Sequence, residues 1–353
     1  MSQHLLVWEY LTGGGLFETD LADADSLRRE GAAMVGALTA DLAAIEETTV
    51  HWLHDDRAAS QQSTSLPCAV RPCRVGSRQE LEQAFDRLVS ECDGCFIIAP
   101  ETDGILLRWT RRVVDRSARL LSAPAPLVAI ASDKWQTHQV LRAAGVPVPN
   151  AMPADHPELA SWAAEQMAGR APSGRLVIKP RDGAGSHGVR GWDPRQALPG
   201  GPGELIEEFV EGTPAGVLAL CRDGAVTVLP PTRQLIDPTS FAYQGGIAPL
   251  ESPQLRRRAA DVARRAVEAL PVQDGFVGVD VVLGTAGDGS HDVVIEVNPR
   301  LTTSYVGLRA VLRGNLARGL LDPGAVEAWN GSAMDAPVRF SPSGQIAPLS
   351  GST

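Results

Sequence analysis

The chain has 353 residues, 44% of them hydrophobic and 21% charged, with a net charge of −10. Such a length accommodates roughly two or three domains. The acidic balance argues against nucleic acid or an anionic membrane surface as a partner, because both require concentrated positive charge. No stretch of about 20 apolar residues occurs, and the first residues lack the basic and apolar blocks of a signal peptide, so the cytoplasm is the expected compartment.

Leu5–Trp8 reads as a buried strand that runs into Thr12-Gly13-Gly14-Gly15 and then a helix over Leu27–Ala44. A strand at Thr48–Leu53, a helix at Arg78–Glu91, a strand at Cys95–Ala99 and a helix at Trp109–Leu121 follow. Alternation of strands and helices predicts an open α/β domain with a mostly parallel sheet. The segment 122–126, with two prolines, marks a boundary, and Leu127–Ile130 reads as a further strand. Helix Lys134–Ala144 stops at Gly145, with Pro147 and Pro149 beyond.

The second half predicts α+β. Strand Leu176–Lys179 leads into the glycine-rich loop Asp182–Gly188, and strand Glu204–Val210 follows. A hairpin pairs Val217–Cys221 with Ala225–Leu229, helix Gln254–Leu270 comes next, and strands Phe276–Leu283 and Asp292–Val297 pair through a Gly/Asp/Ser turn. The run Arg256-Arg257-Arg258 reads as a solvated helical face. The Pro-, Ser- and Gly-rich tail beyond Met334 is expected to be poorly ordered. The expected division is 1–125, 126–203, 204–333 and a tail, 334–353.

Five cysteines (Cys68, Cys73, Cys92, Cys95, Cys221) give an odd count, which argues against a disulfide framework. The Cys92–Cys95 spacing would suit a metal, but Cys95 opens the apolar run CFIIA, so ordinary buried thiols are expected.

Three constellations carry chemistry. Lys179 at a strand end, beside a loop rich in glycine, can meet phosphate oxygens while backbone N–H groups approach the same phosphates; a plain hairpin turn is the other explanation. Glu207, Glu208 and Glu211 lie on or beside a short apolar strand, either as an exposed edge or as a hinge in which the backbone at Glu208 and Val210 reads an adenine edge with Glu207 near its amino group. Glu296 and Asn298 are two apart and share one face of a strand, with Asp280 on the strand before. Two carboxylates and an amide oxygen suit Mg2+, with Mn2+ as an alternative.

Taken in order, Ser132-Asp-Lys134, Val177-Ile-Lys-Pro180 with its glycine loop, Ile206-Glu-Glu-Phe-Val-Glu-Gly212, Gly278-Val-Asp280 and Glu296-Val-Asn-Pro-Arg300 resemble the ATP-grasp superfamily over about residues 126–320. The part before them resembles the pre-ATP-grasp domain. The resemblance implies an ADP-forming enzyme that activates a carboxylate as an acyl phosphate and couples it to an amine. It implies that Lys134 and Lys179 neutralise ATP phosphates, that Gly183, Gly185, Ser186 and Gly188 form a lid, that Asp280, Glu296 and Asn298 hold the metal, and that Arg300 stabilises charge on the acyl phosphate. Many members place a glutamate past the hinge for the ribose; Thr213-Pro214 stands there, leaving Glu211 as the candidate.

A narrower likeness involves Glu9-Tyr10 with Thr12–Gly15, Ile98-Ala-Pro-Glu101, Phe241-Ala-Tyr-Gln-Gly-Gly246 and Asn298-Pro-Arg-Leu-Thr-Thr-Ser-Tyr-Val-Gly307. These look like the tyramine–L-glutamate ligase group of methanofuran and methylofuran biosynthesis, implying L-glutamate and an aromatic amine such as tyramine or tyrosine as substrates, and admitting a homodimer. Arg233, Gln234, Tyr243, Gly13 and Gly14 are the substrate-contact candidates, with a surface ion pair for Arg233 and a tight turn for the glycines as competing explanations. His187 is a candidate base, phosphate partner or exposed side chain. Another ATP-grasp amino-acid ligase, or a nucleotide-binding regulator without catalysis, are the rival functions.

Overall fold

The structure, a computed structural model, describes residues 2–17, 24–55, 67–170, 175–192, 201–271, 274–326 and 334–349. Its first layer is built from β1 (Gln3–Glu9), α1 (Ala24–Ala43), β2 (Thr48–Asp55), β3 (Val70–Val75), α2 (Arg78–Glu91) and β4 (Gly94–Ile98). The strands pair in parallel in the order β3-β2-β1-β4. Leu5–Trp8 is apolar at every position because a parallel sheet is covered on both faces. On one face Trp8, Phe85 and Trp109 pack together, with ring centroids 4.4–5.0 Å apart.

Three expectations for this region are corrected. Strand β3 was not foreseen because Pro72 interrupts it; an edge strand tolerates a missing donor. The helix expected at Trp109–Leu121 is α3 (Ile105–Val114), four residues earlier at its start in sequence, and Leu120 instead bridges Cys95. The strand expected at Leu127–Ile130 is helix α4 (Ala125–Ala131). Pro124 at its N-cap and Pro126 in its first turn suit a helix start, and Leu127, Val128 and Ala131 bury one face. Four apolar residues in a row do not separate strand from buried helix.

Helix α5 (Lys134–Ala143) opens at Asp133, whose side chain accepts from the N–H groups of Trp135 and Gln136. The next layer holds β5 (Ala151–Pro153), α6 (Leu159–Glu165), β6 (Leu176–Pro180), β7 (Arg190–Trp192) and β8 (Glu204–Glu208), an antiparallel sheet in the order β5-β8-β6-β7. The last layer begins with β9 (Thr213–Arg222), β10 (Ala225–Val228), β11 (Thr232–Ile236), β12 (Tyr243–Ala248) and α7 (Pro253–Glu268). It continues with β13 (Gly275–Leu283), β14 (Val293–Asn298), α8 (Ser304–Val311), β15 (Val338–Phe340) and β16 (Ile346–Pro348). Its antiparallel sheet runs β14-β13-β9-β11-β12-β15-β16, with β10 on β9.

The expected disordered tail is therefore corrected for residues 334–349: β15 pairs with β12, and the Phe340 ring is buried over Gly307 and Gly246. Residues 350–353 lie outside the described residues. Nor is the arginine run wholly solvated. Arg258 donates to both carboxylate oxygens of Asp292 and, at 2.8 Å, to Gly284 O, which ties α7 to the β13–β14 turn. Across the molecule, Asp41 on α1 accepts from the Tyr305 hydroxyl (2.6 Å) and from the Arg309 guanidinium on α8. No helix among the described residues is long and apolar enough to cross a membrane.

Candidate active site

A cleft between α5 and β14 is lined by residues that include Lys134, His138, Glu207 and Glu296, and Lys179 bonds one of them, Glu207. Lys134 starts α5; its Nζ lies 3.0 Å from Glu296 Oε1 and donates to Gly183 O at 2.5 Å. Lys179 is buried near the end of β6, where its Nζ meets Glu207 at 2.7 Å and Ile295 O at 3.3 Å. Burial raises the Glu207 pKa, against the opposing charge and hydrogen bond of Lys179. Glu207 thus serves in this structure as the partner of Lys179. The Glu208 carboxylate accepts from Asn150 Nδ2 at 2.9 Å, and its N–H donates to Asn150 O at 2.8 Å. Strand β8 stops at Glu208, so Val210 lies in the bend to β9, half-buried, and Glu211 is exposed there.

The antiparallel register of β13 and β14 sets Asp280 opposite Glu296 and Gly278 opposite Asn298. Asp280 accepts from Gln234 Nε2 at 2.7 Å and from Asn298 Nδ2 at 3.1 Å. Burial pushes Asp280 up to about 7, and the negative Glu296 adds to the rise. Carboxylates forced together in this way favour a divalent cation, which reverses the repulsion. Among the described residues no cluster of three or more His, Cys, Asp or Glu side chains is poised for a metal. The donor set is two carboxylates plus the Asn298 amide, which suits a hard ion that shares its shell with phosphate oxygens and water.

Arg300 follows this strand and is largely buried. Its Nε donates to Glu101 Oε1 at 2.9 Å. Burial opposes its charge, yet Glu101, Glu296 and Glu30 together raise its pKa.

The pattern of the ATP-grasp domain family matches residues 131–304, and that of the pre-ATP-grasp domain matches residues 48–128. The chain carries a pre-ATP-grasp domain followed by an ATP-grasp domain. This ATP-grasp chain is 25% identical over 238 residues to a tyramine–L-glutamate ligase of Methanocaldococcus jannaschii, covering 67% of the chain and 65%, under two thirds, of that relative. It is 24% identical over 307 residues to the tyramine–L-glutamate ligase of Methanocaldococcus fervens, covering 86% and 89% of the two chains. An ATP-grasp superfamily protein of Archaeoglobus fulgidus shares its fold, with a TM-score of 0.69, 23% identity, and coverage of 96% and 92%.

The loop 182–188, which follows β6, carries the glycines expected to cover the phosphates. Gly185, Ser186 and Gly188 all have positive φ (66°, 62° and 71°), a conformation that glycine adopts without strain. Asp182 at the start of this loop accepts from the Asp103 N–H at 3.1 Å, so the loop touches the pre-ATP-grasp domain. His187 is exposed.

Two sets of substrate candidates are placed elsewhere. Arg233 and Gln234 alternate across β11, so only Gln234 reaches Asp280; Arg233 pairs with Glu251 at 3.1 Å, half-exposed. Gly13 and Gly14 are buried in the first layer. Gly13 O accepts from Trp8 Nε1 at 3.0 Å, and a Cβ on Gly13 would lie 2.3 Å from that nitrogen. The glycines therefore make a tight structural turn. Tyr243 lies nearer the Asp280 carboxylate: its hydroxyl accepts from Thr303 Oγ1 at 2.9 Å, and it is within electrostatic reach of Asp280 and Glu30.

Sequence reasoning gave no role to Glu101, which bonds Arg300, or to Glu9 and Glu30, which lie within its electrostatic reach. For Glu9 and Glu101 a signal existed: each ends or follows a strand of the parallel sheet, where such folds gather functional side chains. Glu30 sits in an amphipathic helix among other charges, and nothing local distinguishes it.

Proposed function

We propose that this ATP-grasp chain is an ADP-forming carboxylate–amine ligase that joins L-glutamate to an aromatic amine such as tyramine or tyrosine, in the biosynthesis of a methanofuran-like one-carbon carrier. The observation that supports the ligase reading is that Glu296 pairs with Lys134, lies opposite Asp280 in the strand register and is within electrostatic reach of Arg300. A protein that only bound nucleotide would have no use for the buried arginine beside the metal set. The names of the two relatives favour glutamate and tyramine.

The roles follow from charge and position. Lys134 and Lys179 exchange Glu296, Gly183 O and Glu207 for phosphate oxygens when ATP enters. Backbone groups of Glu208 and Val210 meet the adenine, and Glu211 is the ribose candidate. Asp280, Glu296 and Asn298 would hold Mg2+ or Mn2+, which when bound neutralises the β- and γ-phosphates. Gln234 keeps the Asp280 carboxylate in place. Arg300 faces the carbon under attack and stabilises its oxyanion. The lid (Gly183, Gly185, Ser186, Gly188) closes over the phosphates and excludes water that would hydrolyse an acyl phosphate. In this division residues 1–125 form the pre-ATP-grasp domain, 126–203 the central lobe and 204 onward the last lobe, with β15 and β16 part of it.

The test is ADP release with Mg-ATP and L-glutamate across a panel of amines that includes tyramine and L-tyrosine, with mass spectrometry of the products. ADP together with a γ-glutamyl amide supports the proposal and names the amine. ADP with a different acid or amine moves the chain to another ATP-grasp ligase, and nucleotide binding without ADP from any pair favours a regulator.

A further inference from the structure

Strands β1 and β4 end side by side, with Glu9 opposite Ile98 in register. From β1 the chain moves outward through β2 to β3 and then returns to the other side of β1 at β4. The space beyond the carboxyl ends of β1 and β4 is thus a switch point, the place where open α/β sheets take ligands.

Three carboxylates from three elements close on that space. Glu9 ends β1, Glu30 lies on α1, and Glu101 stands just past β4. The Glu9 carboxyl packs against Gly31, the neighbour of Glu30. Arg300 bonds Glu101 and lies within electrostatic reach of Glu9 and Glu30, while Tyr243 faces Glu30 from the ATP-grasp side. Arg300 is thus bonded to one carboxylate and within electrostatic reach of two more, and Arg29 is within reach of Glu30. Glu101, 4% exposed, has a second oxygen, Oε2, that is buried with no hydrogen-bond partner among the described residues. A buried acceptor left in that state is costly and is satisfied by a ligand N–H.

Resting on the ligase reading above, we propose that the acceptor amine enters this chamber as its ammonium ion, held by Glu101 Oε2 and Glu30, and passes a proton to Glu30 before it attacks the acyl phosphate. The ammonium R–NH3+ gives one proton to the Glu30 carboxylate and becomes R–NH2. The nitrogen lone pair forms the C–N bond, the C–O bond to phosphate breaks, and the remaining N–H proton leaves with the phosphate as HPO4 2−. Glu30 then returns its proton to solvent. Burial lifts Glu30 to about 7, opposed by Arg300 and Arg29, which makes it a better proton acceptor than an ordinary surface carboxylate.

The experiment separates activation from amine capture. Hydroxylamine is uncharged at neutral pH and traps an acyl phosphate as a hydroxamate without needing an ammonium site. In Glu30→Gln the expected result is a KM for tyramine or L-tyrosine, whichever turns over, raised by at least about tenfold, while glutamyl hydroxamate forms within about threefold of the wild-type rate. An unchanged amine KM overturns the inference. So does an unchanged amine KM with a raised Mg2+ requirement, which would give the chamber to a second cation. If Glu30→Gln loses hydroxamate formation as well, the wild-type chain carries the test. Tyrosol, the hydroxyl analogue of tyramine, should inhibit hydroxamate formation at least about tenfold less well than tyramine; equal inhibition overturns the ammonium site. Neither ADP nor hydroxamate from the wild type would instead strike the ligase reading, and this inference with it.

Discussion

Lys179 and Glu207 form a buried ion pair whose loss bears on stability and, on the proposed function, on ATP binding. Both are buried, 2.7 Å apart, and removing one leaves the other charged without a partner. Lys179→Ala is expected to cost about 3 kcal/mol in chemical denaturation and to weaken ATP binding by more than about tenfold; unchanged nucleotide affinity would remove Lys179 from the phosphates. Glu9 makes a separate, pH-dependent prediction. Burial raises its carboxyl from 4.5 to about 7, against the N–H groups of Leu11 and Thr12, the Thr12 hydroxyl and Arg300. A raised folded-state pKa means the folded chain binds the proton more tightly, so this contribution is fully present below pH 4.5 and lost as pH rises through about 7. Glu9→Gln should remove a fall in stability on the order of 3 kcal/mol between those limits, read from denaturation midpoints at a series of pH values. An identical pH profile in the variant would contradict it. At this scale the sequence was informative where residue type and spacing decide position. Glu296 and Asn298 share a strand face by parity, and Gln234 faces Asp280 for the same reason, which also turns Arg233 away toward Glu251.

Among the elements, long periodic stretches were legible and short ones were not. Helix α2 over Arg78–Glu91 was read to the residue, since Ser77 caps it and Leu81, Phe85, Leu88 and Val89 form a clear apolar stripe. Helix α4, with seven residues, and β15 and β16, with three each, carry too few positions to display a period. Their identity comes from partners far along the chain, as when β15 pairs with β12. The tail is thus held by tertiary contacts that composition hides, chiefly one ring. Phe340→Ala should destabilise the fold by about 3–5 kcal/mol, measured by urea denaturation. A loss below about 1 kcal/mol would mean that this strand pair is not integral to the sheet.

Over the whole molecule, the order of five weak motifs was more informative than any one of them, because they come from distant segments that fold against one another. The contribution of the first layer was not legible: Arg300 meets Glu101 across 199 positions of sequence, and no local pattern encodes such a contact. This contact ties the parallel sheet to the ATP-grasp domain. Arg300→Ala is expected to lower turnover by about 100-fold while ATP affinity changes by less than about threefold; the reverse pattern would place Arg300 on the nucleotide. Activation of a carboxylate on ATP leaves a mark on the phosphate, which L-glutamate labelled with 18O in the γ-carboxylate reveals when supplied with Mg-ATP and the amine that turns over. Each inorganic phosphate released should carry one 18O from the substrate. Unlabelled phosphate accompanying amide formation would contradict it.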